Sequence, residues 1–357
     1  MRPALYSSVL ALSLASAALA AQQPPPTTAS QGPNRDTSYI DDQGMAHITR
    51  VVPVPQTISP EAQQMIARVV PDQAPPETLA ERRTRTDAST EAARLAWTKL
   101  CPNHITEDKI AGVPVRIVTP DGIPAANNDK VFINIHGGGF NSDSGSYSES
   151  IPIASYAGVK VIAVMYRLAP ENPFPAGIDD VISVYKELLK TYRPEHIVIY
   201  GTSAGAIMTG EIAVRLKQLG LPEPAALGIF SGIGDFALPG DSAALFTLRG
   251  LGGHLDPPTP APHDRYYIGS ADPRDPVLSP IYADLHGLPP TLFVTATRDA
   301  LLSGTVNLHR AFLRAGVDAR LVVFDALPHA FWYNASLPES IEASHIMASF
   351  LIEHVSH

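Results

Sequence analysis

Residues 196–220 constrain the fold of this chain more than any other stretch. A short apolar run, Ile197-Val198-Ile199-Tyr200, leads into Gly201-Thr202-Ser203-Ala204-Gly205, and a helical pattern follows with Met208, Ile212, Leu216 and Leu219 along one side. Apolar run, small turn residues and helical period predict a strand, a tight turn and a helix, with Ser203 at the joint. Glycine at 201 and 205 leaves room for a turn too sharp for bulky neighbours, which lifts the serine oxygen clear of the sheet edge.

The remaining chain supplies such a sheet. Continuous apolar runs at 131–135, 159–165, 226–230, 292–295 and 321–324 read as buried strands, and 108–111 with 113–119 reads as a hairpin around Gly112. Helical patterns at 178–190, 204–219 and 301–315 lie between them, and one at 340–354 closes the chain. The alternation predicts an α/β protein with a mostly parallel sheet covered on both faces. Ahead of the strands, Ser59-Pro60-Glu61 opens a helix with Met65, Ile66, Val69 and Val70 on one face. Thr78-x-x-Glu81 is a capping box for a second helix over 78–100, with Ser89 a candidate restart. These two helices precede every strand and so cannot be crossovers of the sheet. Residues 232–286, long and rich in Gly, Pro and His, break the alternation and read as a lid or binding element.

Residues 1–20 carry Arg2 as their only charge, an apolar run and the small-x-small ending Ala18-Leu19-Ala20, the pattern of a secretory signal peptide; the expected location is secreted or periplasmic. The segment 21–45, opening on a run of Pro, Gln, Thr and Ser, reads as a disordered lead-in. A formal net charge of −9 argues against nucleic-acid partners and attraction to anionic membranes, and no stable membrane insertion is expected once the signal is cleaved. Cys101 is the only cysteine, which excludes an intramolecular disulfide, a cysteine-based zinc cluster and a CxxC redox centre. Twelve histidines show no His-Glu-x-x-His spacing, so neither metal nor cofactor is expected.

His136-Gly137-Gly138-Gly139-Phe140 follows directly on the apolar run 131–135. Consecutive glycines let backbone N–H groups turn towards one point without Cβ interference, as binding a developing oxyanion requires. A serine nucleophile also needs a base, and the base an acid that fixes its tautomer; with an elbow of this kind the chain order is Ser, then Asp or Glu, then His. Asp299 and His329 each come just after a strand, which puts both at the carboxyl edge where Ser203 stands. The rivals are worse placed: Asp325 shares a short turn with His329, Asp318 precedes its strand, and His309 and His345 lie inside helical patterns.

With these residues in view the chain resembles the hormone-sensitive-lipase-like branch of the α/β-hydrolase esterases. The likeness rests on 136–140, on Tyr166-Arg167-Leu168-Ala169-Pro170-Glu171 with Pro173-Phe174-Pro175-Ala176, on 201–205, on Asp299-x-Leu301 and on His329-x-Phe331, and it spans about residues 45–355. It implies an α/β-hydrolase fold with Ser203 as nucleophile, His329 as base and Asp299 as its orienting acid. It implies an oxyanion hole made by the N–H groups of Gly138, Gly139 and Ala204, with His136 bracing the glycine loop. The domain layout it suggests is N-terminal cap helices at 46–105 and a catalytic domain at 106–357, with a cap insertion around 232–286. Many members carry Asp where Thr202 stands, so local hydrogen bonding at the elbow is open. The expected function is a serine carboxylesterase acting on a small-molecule ester of short to medium acyl chain through an acyl-enzyme. A lactonase, an amidase or a sugar-ester deacetylase would use the same triad, and a non-catalytic ligand receptor would use the same fold.

Overall fold

A computed structural model describes residues 37–69, 77–238, 240–253, 255 and 265–355. The expected signal peptide and the lead-in as far as residue 36 lie outside the described residues. The chain divides into two units, Met1–Pro53 and Val54–His357.

The first unit holds a short hairpin in its described part. Strands β1 (Tyr39–Ile40) and β2 (Ala46–His47) pair antiparallel. Asp41 makes the turn: its Oδ1 accepts from the N–H groups of Gln43 and Met45, both at 2.9 Å, its Oδ2 meets His47 Nε2 at 2.8 Å, and His47 stacks on Tyr39. An Asx turn of this sort folds locally without an apolar core. The division between the two units falls after Pro53, past this hairpin.

The second unit opens with α1 (Pro60–Ile66), capped by Ser59 Oγ, which accepts from Ala62 N–H. It is shorter than its apolar period, and Val69 is almost fully exposed. The helix α2 (Leu79–Leu100) has the expected capping box, Thr78 with Glu81, and runs unbroken past Ser89, whose hydroxyl merely donates to Arg85 O one turn back. Both helices put side chains into the same core as the sheet, among them Ala62 and Trp97, so they belong to one unit with it.

The strands β3 (Asn103–Ile110), β4 (Val113–Pro120), β5 (Val131–Ile135), β6 (Lys160–Val164), β7 (Ile197–Thr202), β8 (Ala226–Phe230), β9 (Thr291–Ala296) and β10 (Ala319–Phe324) make one eight-stranded sheet in the order 10-9-8-7-5-6-4-3. All neighbours from β10 to β6 are parallel, and β3 and β4 form the antiparallel edge. Residues alternate between faces: Val131, Ile133 and Ile135 pack against α4 (Ala176–Leu188), α5 (Ala204–Gln218) and α8 (Leu302–Arg314), whereas Phe132 packs with α3 (Ser150–Ala157) and α9 (Pro338–Glu353). The 232–286 segment holds only α6 (Ser242–Leu245) and α7 (Arg265–Ile268) as α-helix among its described residues. No helix among the described residues is long and apolar enough to cross a membrane.

Adjacent strands β5 and β7 send their chains to opposite faces, β5 into α3 and β7 into α5. A crevice opens at the carboxyl ends of such a pair, where the connecting chains diverge. The segments that enter it are the glycine loop after β5 and the turn that carries Ser203 after β7.

Candidate active site

Ser203 sits at the tip of the β7–α5 turn with φ 58 and ψ −122, a conformation that costs a non-glycine residue about 1–3 kcal/mol. The flanking glycines are required by the backbone of β5: a Cβ at Gly201 would come within 2.3 Å of Ile135 O, and one at Gly205 within 1.8 Å of the same atom. Of the six non-glycine residues with positive φ among the described residues, five (Phe140, Ser203, Ser231, Ala326 and Ala330) lie in the segments that surround this turn. Strain is concentrated where geometry has to be exact.

The structure brings Asp299 and His329 together. His329 Nδ1 lies 3.0 Å from Asp299 Oδ1. Asp299 is fully buried, and its remaining acceptor capacity is taken by Leu301 N–H at 2.8 Å, Thr295 Oγ1 at 3.3 Å and a very short hydrogen bond from Ser231 Oγ. Burial pushes this carboxyl up, but the neighbouring His329 and the hydrogen bonds from His329, Ser231 and Leu301 outweigh it and hold Asp299 below its ordinary value. An ionised carboxylate only accepts, so Nδ1 of His329 carries the proton and Nε2 presents a lone pair. Nε2 is buried and has no hydrogen-bond partner among the described residues. Asp325 is engaged elsewhere, with Thr57 Oγ1 at 2.5 Å and Thr297 Oγ1 at 3.2 Å.

Gly138 (φ 123) and Gly139 (φ 62) occupy left-handed backbone. A Cβ at Gly138 would lie 2.0 Å from Ser142 O, so glycine is obligatory there for packing as well as for conformation. The N–H groups of Gly138, Gly139 and Ala204 have no acceptor among the described residues. Ala204 opens the 15-residue α5, whose N-terminal dipole adds positive potential at the same point. His136 supports the loop from beneath, with Nδ1 2.8 Å from Gly137 O and its ring stacked on Tyr166, whose hydroxyl donates to His136 O at 2.8 Å. Thr202 accepts from the indole N–H of Trp332 at 3.1 Å, which ties the elbow to the segment just after His329.

Two residues at this site escaped the sequence reading. Ser231 follows β8 directly, and the rule that placed Asp299 and His329, a polar residue just past a parallel strand, would have flagged it; its Oγ also lies 2.9 Å from His329 Nδ1. Glu149, at the N-terminus of α3, has no such signal. Its carboxylate accepts from Gly137 N–H at 3.1 Å, Tyr333 O–H at 2.5 Å and Asn134 Nδ2 at 2.7 Å, and so fastens the glycine loop to the segment after His329.

Burial raises Glu149 from 4.5 to about 7, against the lowering effect of those three hydrogen bonds; Asp143 nearby adds to the rise. A carboxyl whose folded value is raised contributes stability that is fully present below its unfolded value and is lost as pH rises through the folded one. Stability is therefore expected to fall by about 3 kcal/mol on going from below pH 4.5 to above pH 7 through this group alone, at 1.36 kcal/mol per unit. Glu149→Gln should flatten that part of the profile, as read by chemical denaturation at steps between pH 5 and 8. An unchanged slope in the variant would rule Glu149 out as its source.

A family model described as the alpha/beta hydrolase fold matches residues 132–333. An acetyl-hydrolase of Streptomyces hygroscopicus is 32% identical over 235 residues, 64% of this chain and 77% of that protein. An esterase of Acinetobacter venetianus is 30% identical over 236 residues, 63% of this chain and 75% of that protein. Among solved structures, an esterase designated E25 aligns with TM-score 0.75 and 31% identity, covering 86% of this chain and 98% of that one. An esterase from the bacterial hormone-sensitive lipase family aligns with TM-score 0.69 and 30% identity, covering 84% and 99%.

Proposed function

The chain belongs to the α/β-hydrolase family and, within it, to the esterases of the bacterial hormone-sensitive lipase family, and from that premise we propose that Ser203, His329 and Asp299 hydrolyse carboxylic esters through an acyl-enzyme. The observation that carries the reading is the 3.0 Å contact of His329 Nδ1 with Asp299, which leaves Nε2 without a partner among the described residues. His329 Nε2 takes the Ser203 proton as Oγ attacks the ester carbonyl. The oxyanion that develops is held by the N–H groups of Gly138, Gly139 and Ala204. Collapse expels the alcohol, which receives the proton from His329, and leaves Ser203 acylated. Water, giving its proton to Nε2, then attacks the acyl carbonyl, and loss of the serine alkoxide, reprotonated by His329, frees the acid.

The acyl group is short to medium in length. Support comes from relatives named acetyl-hydrolase and esterase and from α2, which would form the cap with part of 232–286. That helix is fixed to the site at three places: Arg83 Nε donates to Asn141 O at 2.8 Å, Thr90 Oγ1 to Asp143 O at 2.9 Å and Trp97 Nε1 to Tyr333 O at 3.2 Å. Rates on p-nitrophenyl esters should peak between acetate and hexanoate and fall steeply towards palmitate, with no activation at an oil interface. A maximum on emulsified long-chain triglyceride would defeat the chain-length assignment. The apolar segment at 1–20 supports secretion or periplasmic export; N-terminal sequencing of protein recovered outside the cytoplasm should begin just after Ala20.

A further inference from the structure

The first turns of α2 carry three arginines, and their partners differ. Arg83 makes two hydrogen bonds to the Glu171 carboxylate, at 2.7 and 2.8 Å, and one to Asn141 O. Arg85 does the same with Glu77, at 2.9 and 2.6 Å. Arg82 has neither an ion pair nor a hydrogen-bond acceptor among the described residues, and its Nε is buried with its donor unused. Its far end lies against the glycine loop: Nη2 is 3.3 Å from where a Cβ at Gly139 would stand.

A half-buried guanidinium with a buried donor left unmet is uncommon, because each unmet donor away from water forfeits a hydrogen bond it could make in solution. Here the Glu77 carboxylate, which feels the charge of Arg82, is already held by Arg85, and the Arg83 clamp on Asn141 O fixes α2 against the loop. Among the described residues no acceptor meets Arg82 while the Glu77–Arg85 pair is closed. Its planar fork matches a carboxylate, and it stands beside Gly139, one of the assigned oxyanion donors. The excess of acidic over basic residues, 35 to 26, gives the molecule no general attraction for anions, so any recognition of one has to be local.

We propose that Arg82 forms an anion-recognising subsite beside the glycine loop, and that the preferred substrate is an ester carrying a carboxylate a few bonds from the scissile carbonyl. This rests on the esterase reading and specifies its substrate class. The carboxylate belongs to the acyl or to the alcohol portion, and two substrate series separate the cases. In the first, monoethyl succinate is compared with its neutral isostere, ethyl succinamate; in the second, O-acetylglycolate with O-acetylglycolamide. The measured quantity is the ratio of kcat/KM for anionic over neutral ester in the full-length enzyme. The wild type should show a ratio of about ten or more in one series, the effect expected of a charge-assisted pair, expressed mainly in KM. Arg82→Gln should bring that ratio close to one, Arg82→Lys should keep part of it, and Arg94→Gln, on a residue of the same helix paired with Glu91, should leave it unchanged. A preference that survives in Arg82→Gln, or a wild-type ratio near one in both series, overturns the proposal. A variant in which anionic and neutral rates fall together, leaving the ratio intact, also overturns it, since that is what a purely structural arginine would do. Failure of the esterase reading looks different: no ester of any kind, p-nitrophenyl acetate included, would be hydrolysed faster than by Ser203→Ala.

Discussion

Replacing Ser203 by Ala is expected to lower kcat on p-nitrophenyl butyrate by about a million-fold, the loss found when a triad serine is removed. The fold should survive. Alanine fits the same φ of 58 with no more strain than serine, Gly201 and Gly205 still relieve the contact with Ile135 O, and the backbone bonds Ser203 N–H to Phe230 O (3.0 Å) and Ile207 N–H to Ser203 O (3.0 Å) involve no side chain. The thermal unfolding midpoint should stay at the wild-type value while labelling by a fluorophosphonate probe disappears. A variant that keeps substantial turnover, or a wild-type enzyme labelled elsewhere, would remove Ser203 from the nucleophile's place.

The second large effect separates two aspartates. Asp299→Asn should reduce kcat by about 10⁴, because an amide can donate to Nδ1 and so favours the tautomer that puts the proton on Nε2, where the serine proton has to go. The amide would also set an N–H₂ against Leu301 N–H or against the hydroxyls of Ser231 and Thr295, all of which now donate to the carboxylate. Asp325→Asn loses only exposed hydrogen bonds to Thr57 and Thr297 and should stay near wild-type activity. Comparing the two kcat values decides between them, and a more damaging Asp325 change would show that the acid has been misassigned.

What the sequence revealed and what it hid have physical causes. Strands of the parallel sheet are buried on both faces, so β5, β7 and β8 stand out as unbroken apolar runs. The edge strand β3 is longer than its apolar signal because Asn103–Ile110 is mostly polar and exposed. Helix α3 went unseen for the opposite reason: Ser150, Ile151, Pro152, Ile153, Ala154 and Ala157 are all buried, so no polar face marks a helical period, and Pro152 falls in the first turn, where proline is tolerated. The β1–β2 hairpin consists of strands too short to show any period. At the site, motif and chain order pointed to Ser203, Asp299, His329 and the glycine loop. Ser231 and Glu149 act through contacts between segments far apart in sequence, which spacing does not reveal.

Helix α2 has a consequence for how such an enzyme can change. At 22 residues it is a rod of about 33 Å, and it touches the glycine loop near its start, Asp143 midway and the segment after His329 near its end. A lid on a hinge can be exchanged to alter substrate choice while the chemistry underneath stays as it was. A splint cannot. Moving α2 to admit a different ester would also shift Asn141 and Tyr333, and with them the oxyanion loop and the histidine segment. With α2 in the cap role proposed above, selectivity and turnover would be mechanically joined, and variants selected for one should be found altered in the other.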